Sequence, residues 1–354
     1  MKRNRLIKRV AYSLSASMLF AHTMTLAAEP VIVATYGGIW ADTLNSVCAV
    51  PFTKETGIPV KMVATDNSIA QIRIQQMTKN VQWDISPTEG DGATIATKNG
   101  WLQPLDWDYI DPERKIADVA RMPTAIGSVA YSVALAYRTD KVPEGKKFTG
   151  WKDFWNVAEF PGPRSLRNSP VENLEFALIA DGVEPKDVYT VLRADGGVDR
   201  AFKKLDEIKP AITVWWTSGQ QPSQMLATGN VFYTTTFNGR VQPLQEQNIP
   251  VTIVWDGAVV EMSNYSIQKN AKNPQGAMAF MKYCWNDPKR LAQIAQRLPY
   301  SSFNNDMYKH LDEKVAANLP TYPENLKVQF TYDADFWAEH RQVIQARWDT
   351  WRLQ

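Results

Sequence analysis

The sequence predicts an α/β chain of two lobes, each on a mixed or parallel sheet, joined by hinge strands. Three observations carry that expectation. Short β-branched runs alternate with helical patterns along the N-terminal part of the chain. Two long extended runs follow, 128–137 and 250–255, the second continued by 262–267, and each is long enough to cross between lobes. Between them lies a block with strands and helices of its own, including a helical pattern at 197–209.

The first 28 residues carry Lys2, Arg3, Arg5, Lys8 and Arg9, then an apolar stretch, then Thr25-Leu-Ala-Ala28. A charged head, an apolar middle and small residues before Glu29 read as a cleaved secretory signal peptide. Ser13, Ser15, Ser17, His22 and Thr23 interrupt the apolar run well short of the ~20 residues that a membrane span needs. That head holds five of the 39 basic residues and none of the 37 acidic ones, so its removal turns a formal +2 into −3. No basic patch remains to argue for nucleic acid. The 326 residues left exceed one comfortable core.

The mature chain opens on a strand at 30–35, then Tyr36-Gly-Gly-Ile-Trp40, then a helical pattern at 41–55 with Leu44, Val47 and Cys48 on one face. Gly57 ends that helix and a strand begins at Ile58. A strand turning through glycines into a helix puts free backbone N–H groups and two aromatic rings at the C-terminal edge of a parallel sheet, where open α/β folds bind ligands. No third glycine follows at phosphate-loop spacing, so the aromatics point to a small organic ligand. A strand ends near Thr65. Asn67 and Ser68 then cap a helix with Ile69, Ile72 and Met77 inward. A short strand at 83–86 precedes the loop Pro87-Thr-Glu-Gly-Asp-Gly92, and the chain closes on an amphipathic helix at 333–351 striped with Trp337, Ile344, Trp348 and Trp351.

Catalytic chemistry is sparse. The two mature histidines, His310 and His340, sit in charged helical contexts away from any triad or zinc spacing. No cofactor or metal motif is present. Glu172 and Glu175, three apart, read as a solvated helix face, and an exported hydrolase using them or Glu261 is the weakest alternative. The two cysteines, Cys48 and Cys284, are either a disulfide in an oxidising compartment or two buried small hydrophobes.

The loops at predicted strand ends are rich in aromatic and hydrogen-bonding groups instead. Tyr36 and Trp40 are joined by Thr88, Glu89 and Asp91, by Arg164, Arg167, Asn168, Ser169 and Glu172, by Trp216 and Ser218, and by Phe237, Arg240 and Glu261. Aromatic faces attract an alkylammonium by ~0.5–2 kcal/mol each, and carboxylates fix its N–H donors.

With those residues in view, the chain resembles the periplasmic spermidine/putrescine-binding proteins, solute receptors of bacterial ABC importers. The resemblance rests on Tyr36-Gly-Gly-Ile-Trp40, Pro51-Phe-Thr-Lys-Glu-Thr-Gly57, Gly150-Trp-Lys-Asp-Phe-Trp155, Phe160-Pro-Gly-Pro163, Phe237-Asn-Gly239, Asn270-Ala-Lys-Asn273 and the tryptophan-rich C-terminus. It implies the bilobal periplasmic-binding-protein fold, with lobe 1 from 29–130 and 259–322, and lobe 2 from 131–258 and 323–354. It also implies a monomeric, non-enzymatic periplasmic receptor that closes on an amine-bearing ligand and delivers it to an inner-membrane permease.

The resemblance places Tyr36 as the first-loop aromatic and Glu172 as the acidic residue of the second lobe, with Phe237 where the family has a tryptophan. Polyamine binders carry a tryptophan and, two residues on, an amine-gripping aspartate where this chain has Glu261 and Ser263. Arg240 stands where they have a small residue; if it faces the cleft it repels a polycation and welcomes a carboxylate. The expected ligand is therefore a polyamine, with a zwitterion such as 4-aminobutyrate or an opine-like conjugate as the alternative. The expected contacts are Tyr36, Trp40, Glu89, Glu172, Trp216, Ser218, Phe237, Arg240 and Glu261.

Overall fold

The computed structural model describes residues 28–65 and 68–354. The signal peptide read at 1–28, but for its last residue, and the cap at Asn67 lie outside the described residues. Among the described residues nine strands form one sheet: β1 (Val31–Thr35), β2 (Val60–Ala64), β3 (Ile85–Glu89), β4 (Ala125–Arg138), β5 (Arg164–Arg167), β6 (Ile212–Trp216), β7 (Tyr233–Phe237), β8 (Val251–Ile267) and β9 (Phe330–Thr331). The order is β2-β1-β3-β8-β4-β7-β5-β6, with β9 beside β8. β1 is parallel to β2 and β3, and β5 is parallel to β6 and β7. The long antiparallel pair β4 and β8 joins these two parallel groups.

Side chains collect into two large cores on either side of that pair. One draws on Val31 through Ala130 and on Val260 through Leu319. The other draws on Val133 through Val259 and on Phe330 through Trp351. A smaller cluster surrounds Trp216, Met225 and Leu226. This is a bilobal α/β architecture with β4 and β8 as the crossings.

The two extended segments expected at 250–255 and 262–267 are a single 17-residue strand. Opposite β4 the register jumps from Val254 to Val259, so residues 255–258 bulge out of the ladder. Gly257 has φ 67°, and a Cβ there would meet the Trp151 ring at 2.9 Å. Its N–H donates to the Val328 carbonyl and its carbonyl accepts from Trp151 Nε1. Position 257 thus needs glycine for both backbone and space.

The first helix is interrupted. Helical residues Ile39–Leu44 lead into a π-turn, Asn45–Ala49, and then Val50–Thr56. Pro51 explains it: proline lacks an N–H and its ring crowds the carbonyl four residues back, and a widened turn relieves that crowding. Cys48 lies in the π-turn and is disulfide-bonded to Cys284 in the helix Pro274–Trp285, with the Cα atoms 5.3 Å apart. In the helix Ser68–Met77 the buried side chains are Ser68, Ile72 and Gln75, whereas Met77 is exposed rather than inward. Gln75 turns in because Gln82, Trp83 and Gln268 all donate to its side-chain oxygen.

The C-terminal helix Ala334–Leu353 is capped by Asp333, which accepts from the Phe336 N–H. Its Trp348 and Trp351 rings pack edge-on to Trp215 at 5.4 and 5.7 Å, in the second core.

Candidate functional site

Strand register assembles the centre of the site. β3 runs past the short strand expected at 83–86 and ends at Glu89. Pro87 is tolerated there because β1 pairs with β3 only at Val33 opposite Ile85 and has left the strand before Pro87. Glu89 lies directly opposite Ser263 of β8, whose Oγ donates to Glu89 Oε2 at 2.9 Å. Two residues along β8, Glu261 faces Tyr131 of β4. The Tyr131 hydroxyl donates to Glu261 Oε2 at 2.8 Å and lies 3.4 Å from Glu89 Oε2. Three strands therefore bring two carboxylates to one phenol.

The second lobe supplies a loop held under strain. β5 ends at Arg167, and Glu172, at the N-cap of the helix Asn173–Ala180, has φ 69° and ψ −41°. Few non-glycine residues adopt such a backbone, and those that do cluster at ligand sites. The Asn173 amide holds the loop by donating to the carbonyls of Arg167 and Ser169, both at 2.7 Å. Glu172 and Glu175, expected on a solvated face, are both buried. The loop turns them inward: the Arg167 guanidinium pairs with Glu172 Oε1, and Tyr189 and Trp337 donate to Glu175 Oε1 at 2.8 Å each.

Aromatic rings wall the space between. Edge-on contacts run from Trp40 to Tyr300 (6.3 Å), to Tyr131 (6.4 Å), to Phe237 (5.8 Å) and to Trp216 (6.1 Å). The cavity that Tyr131 and Phe237 border, of about 270 Å³, is lined also by Glu89, Arg167, Glu172 and Glu261, with Gly90, Asp91, Tyr332 and Arg341 at one side. A larger groove of about 1120 Å³ adjoins it at Gly90 and Tyr332 and runs against β8 at Val260, Met262 and Asn264. It holds none of the expected contact residues.

Charge in the small cavity is unbalanced. Arg341 is paired to Asp91 and Arg167 to Glu172, which leaves Glu89 and Glu261 with no salt-bridge partner among the described residues. Glu172 Oε2 and Glu261 Oε1 are buried with no other donor on them, and the two carboxyls lie within hydrogen-bond reach of each other. Burial pushes Glu89 up to about 8, with the Glu261 charge adding to it against the bonds from Ser263 and Tyr131. Burial and the Glu261 charge likewise raise Glu172 well above the carboxylate range, against the pull of Arg167.

Of the expected contacts, Glu89, Glu172, Phe237 and Glu261 line the cavity. Tyr36 stands close by, its hydroxyl 3.5 Å from Ser68 Oγ and raised in pKa by burial and by the Glu89 charge. Trp40 anchors its indole N–H on Tyr265 at 3.1 Å. Arg240 is half-buried beside Tyr300, whose hydroxyl is raised in pKa by burial, with the Arg240 charge opposing and the Glu89 charge adding to it, and the buried Arg240 Nε has no hydrogen-bond partner. Tyr36, Trp40 and Arg240 are thus near the cavity without lining it, and Trp216 and Ser218 do not line it either. Trp216 is 1% exposed and gives its N–H to Thr235, so it backs Phe237 instead of facing the cavity. Ser218 is exposed on a loop and is not among the lining residues.

Sequence reasoning names the loops of Arg167 and Asp91 without choosing either residue, and it misses Tyr131, Tyr332 and Arg341. Tyr131 becomes visible only when its register against Glu261 is known.

Two core-bearing halves around a crossing, with a charged cavity between them, define a ligand-capturing protein. The sequence matches the bacterial extracellular solute-binding protein family over residues 48–323, and the chain belongs to that family as a substrate-binding protein of ABC transporters. It is 29% identical over 334 residues to a gamma-aminobutyric acid-binding protein of Pseudomonas aeruginosa, covering 94% of each chain. It is 23% identical over 289 residues to the spermidine/putrescine-binding periplasmic protein of Escherichia coli, covering 77% of this chain and 78% of that one. Among solved structures, a GABA receptor superposes with a TM-score of 0.81 at 29% identity, over 92% of this chain and 98% of that one. No helix among the described residues is long and apolar enough to cross a membrane.

Proposed function

We propose that this protein is a non-enzymatic periplasmic receptor that captures a short zwitterionic amino compound of the 4-aminobutyrate type for an ABC importer. The cavity's unpaired carboxylates carry the reading. Glu89 and Glu261 lack a cation, and an ammonium group with three donors supplies one while satisfying Glu261 Oε1. The ligand's carboxylate goes to Arg240, whose Nε is without a partner and which shares Tyr300 with Glu89. Tyr131, Phe237 and Tyr300 wall the alkyl chain. The similarity to gamma-aminobutyric acid-binding relatives supports the same class.

The ligand is held between residues 29–130 with 259–322 and residues 131–258 with 323–354. Contacts from both lobes stabilise the closed form, with β4 and β8 as the hinge. The leader at 1–28 directs export and is removed, and the loaded closed form is what a permease in the inner membrane receives.

A polyamine is the second reading, favoured by Glu172, a third carboxylate in the cavity for a second ammonium, and by the spermidine/putrescine-binding relative. Calorimetry of the wild type and Arg240→Ala against 4-aminobutyrate and putrescine separates them. The zwitterion reading expects 4-aminobutyrate to bind more tightly, and the substitution to weaken it by roughly tenfold or more while improving putrescine. Tighter putrescine binding, unchanged by the substitution, overturns it in favour of the polyamine.

A further inference from the structure

Three consecutive residues at the end of β3 do two different things. Glu89 points into the carboxylate cluster, and Asp91 meets the C-terminal helix of the other lobe. Arg341 donates to Asp91 through Nε at 2.9 Å and through Nη2 at 3.0 Å, a two-pronged pair that fixes distance and angle together. The same Nη2 donates to the Tyr332 hydroxyl at 2.9 Å. Gly90, between the two acids, has φ 49°, and a Cβ there would come within 3.4 Å of that hydroxyl. A second bond, from Thr94 Oγ1 in the following helix Gly92–Lys98 to Asp335 at 3.4 Å, reaches the same C-terminal helix.

The far side of this contact is anchored at the hinge. The Tyr332 N–H donates to the Val260 carbonyl, and β9 just before it pairs with β8 at Val259 and Val260. One residue on is Glu261. The C-terminal helix is therefore fastened to the hinge strand at its start, to the second core along its tryptophan stripe, and to the first lobe through Arg341.

We propose that Asp91 and Arg341 form a latch between the lobes that sets ligand affinity by holding the closed form and fixing the Glu89–Asp91 turn. Both are positioning residues. The proposal rests on the reading that this protein closes over a solute, and it concerns neither the ammonium nor the carboxylate contact itself. Arg341 has its partners within the protein, so its removal affects any ligand that needs closure.

The test uses the mature chain, the variants Arg341→Ala and Asp91→Asn, and the charge swap Asp91→Arg with Arg341→Asp. Without ligand, small-angle scattering of both single variants is expected to show a larger radius of gyration than the wild type. With 4-aminobutyrate and with putrescine, whichever binds, affinity is expected to fall roughly tenfold, by the same factor for both probes. The charge swap is expected to recover a large part of that loss. Unchanged scattering together with unchanged affinity overturns the latch. A loss confined to 4-aminobutyrate also overturns it, since Arg341 would then be grasping the ligand's carboxylate. Should the wild type bind neither probe, the functional reading fails while the scattering still decides the latch.

Discussion

Ser263 stands directly across the β3–β8 ladder from Glu89 and gives its hydroxyl to that carboxylate at 2.9 Å. Directly opposed side chains on neighbouring strands have Cβ atoms ~4.5–5.5 Å apart, and like charges there repel. A neutral donor at 263 therefore leaves that ladder position without a second negative charge. Ser263→Asp supplies that charge. The expected outcome is a putrescine-to-4-aminobutyrate affinity ratio at least about tenfold higher than in the wild type, measured by competition calorimetry. An unchanged ratio would mean that no ammonium sits between positions 89 and 263.

The raised pKa of Glu89 ties ligand binding to pH. An ammonium group favours the ionised carboxylate, so binding expels a proton from a group that, at about 8, is mostly protonated in the free protein at neutral pH. Affinity should therefore rise as pH goes from 6 to 8. The free protein behaves oppositely. Glu89 at about 8 and Glu175 at about 7 hold protons that the unfolded chain, with glutamates near ~4.3, releases. Their stabilising contribution is complete below about pH 4 and is lost as pH climbs through 7 and 8. Thermal melts at pH 5.5 and 8 with and without ligand check both signs, and Glu89→Gln should flatten the pH dependence of affinity. Affinity falling across that range would contradict an ammonium at Glu89.

Local patterns in the chain revealed most of the scaffold, because a β-branched run or a tryptophan stripe reports its own burial. The crossings and the C-terminal helix are legible for that reason, and the Gly57 cap because glycine accommodates its φ of 74°. Long-range register was not. Nothing near Tyr131 in sequence says that it will face Glu261, 130 residues away, and nothing around Asp91 names Arg341. Glu172 and Glu175 misled for a related reason: helical spacing shows which residues share a face, while the strained loop before Asn173 decides which way that face turns. Trp216 looked like a ligand wall because it ends a strand, yet Thr235 across the sheet takes its N–H.

The Cys48–Cys284 bond joins segments 236 residues apart. Closing so long a loop restricts the unfolded chain, and bonds of this kind contribute about 2–5 kcal/mol. Reduction of the purified protein should lower the urea midpoint accordingly. Cys48→Ser with Cys284→Ser should unfold at that same lower midpoint with or without reductant. Two reactive thiols in the unreduced, unfolded wild type would rule the bond out.

Trp337 both fills the second core and donates its N–H to Glu175 Oε1 at 2.8 Å, alongside Tyr189. Glu175 Oε2 is buried without a partner, so the ionised carboxylate relies on these donors together with a backbone N–H. Trp337→Phe keeps an aromatic ring and removes one donor. Losing a hydrogen bond to a charged group costs about 1.5–3 kcal/mol, and to a neutral one about 0.5–1.5 kcal/mol. Below the Glu175 pKa of about 7 the group is a neutral acid and the smaller cost applies, along with that of the void left by the smaller ring. Above it the larger cost applies, although the lost donor also pushes the pKa further up and delays ionisation. Urea unfolding at pH 5.5 and 8.5 should therefore show a greater loss of stability at the higher pH. Equal losses at both would show that Trp337 serves packing alone and leaves the Glu175 proton untouched.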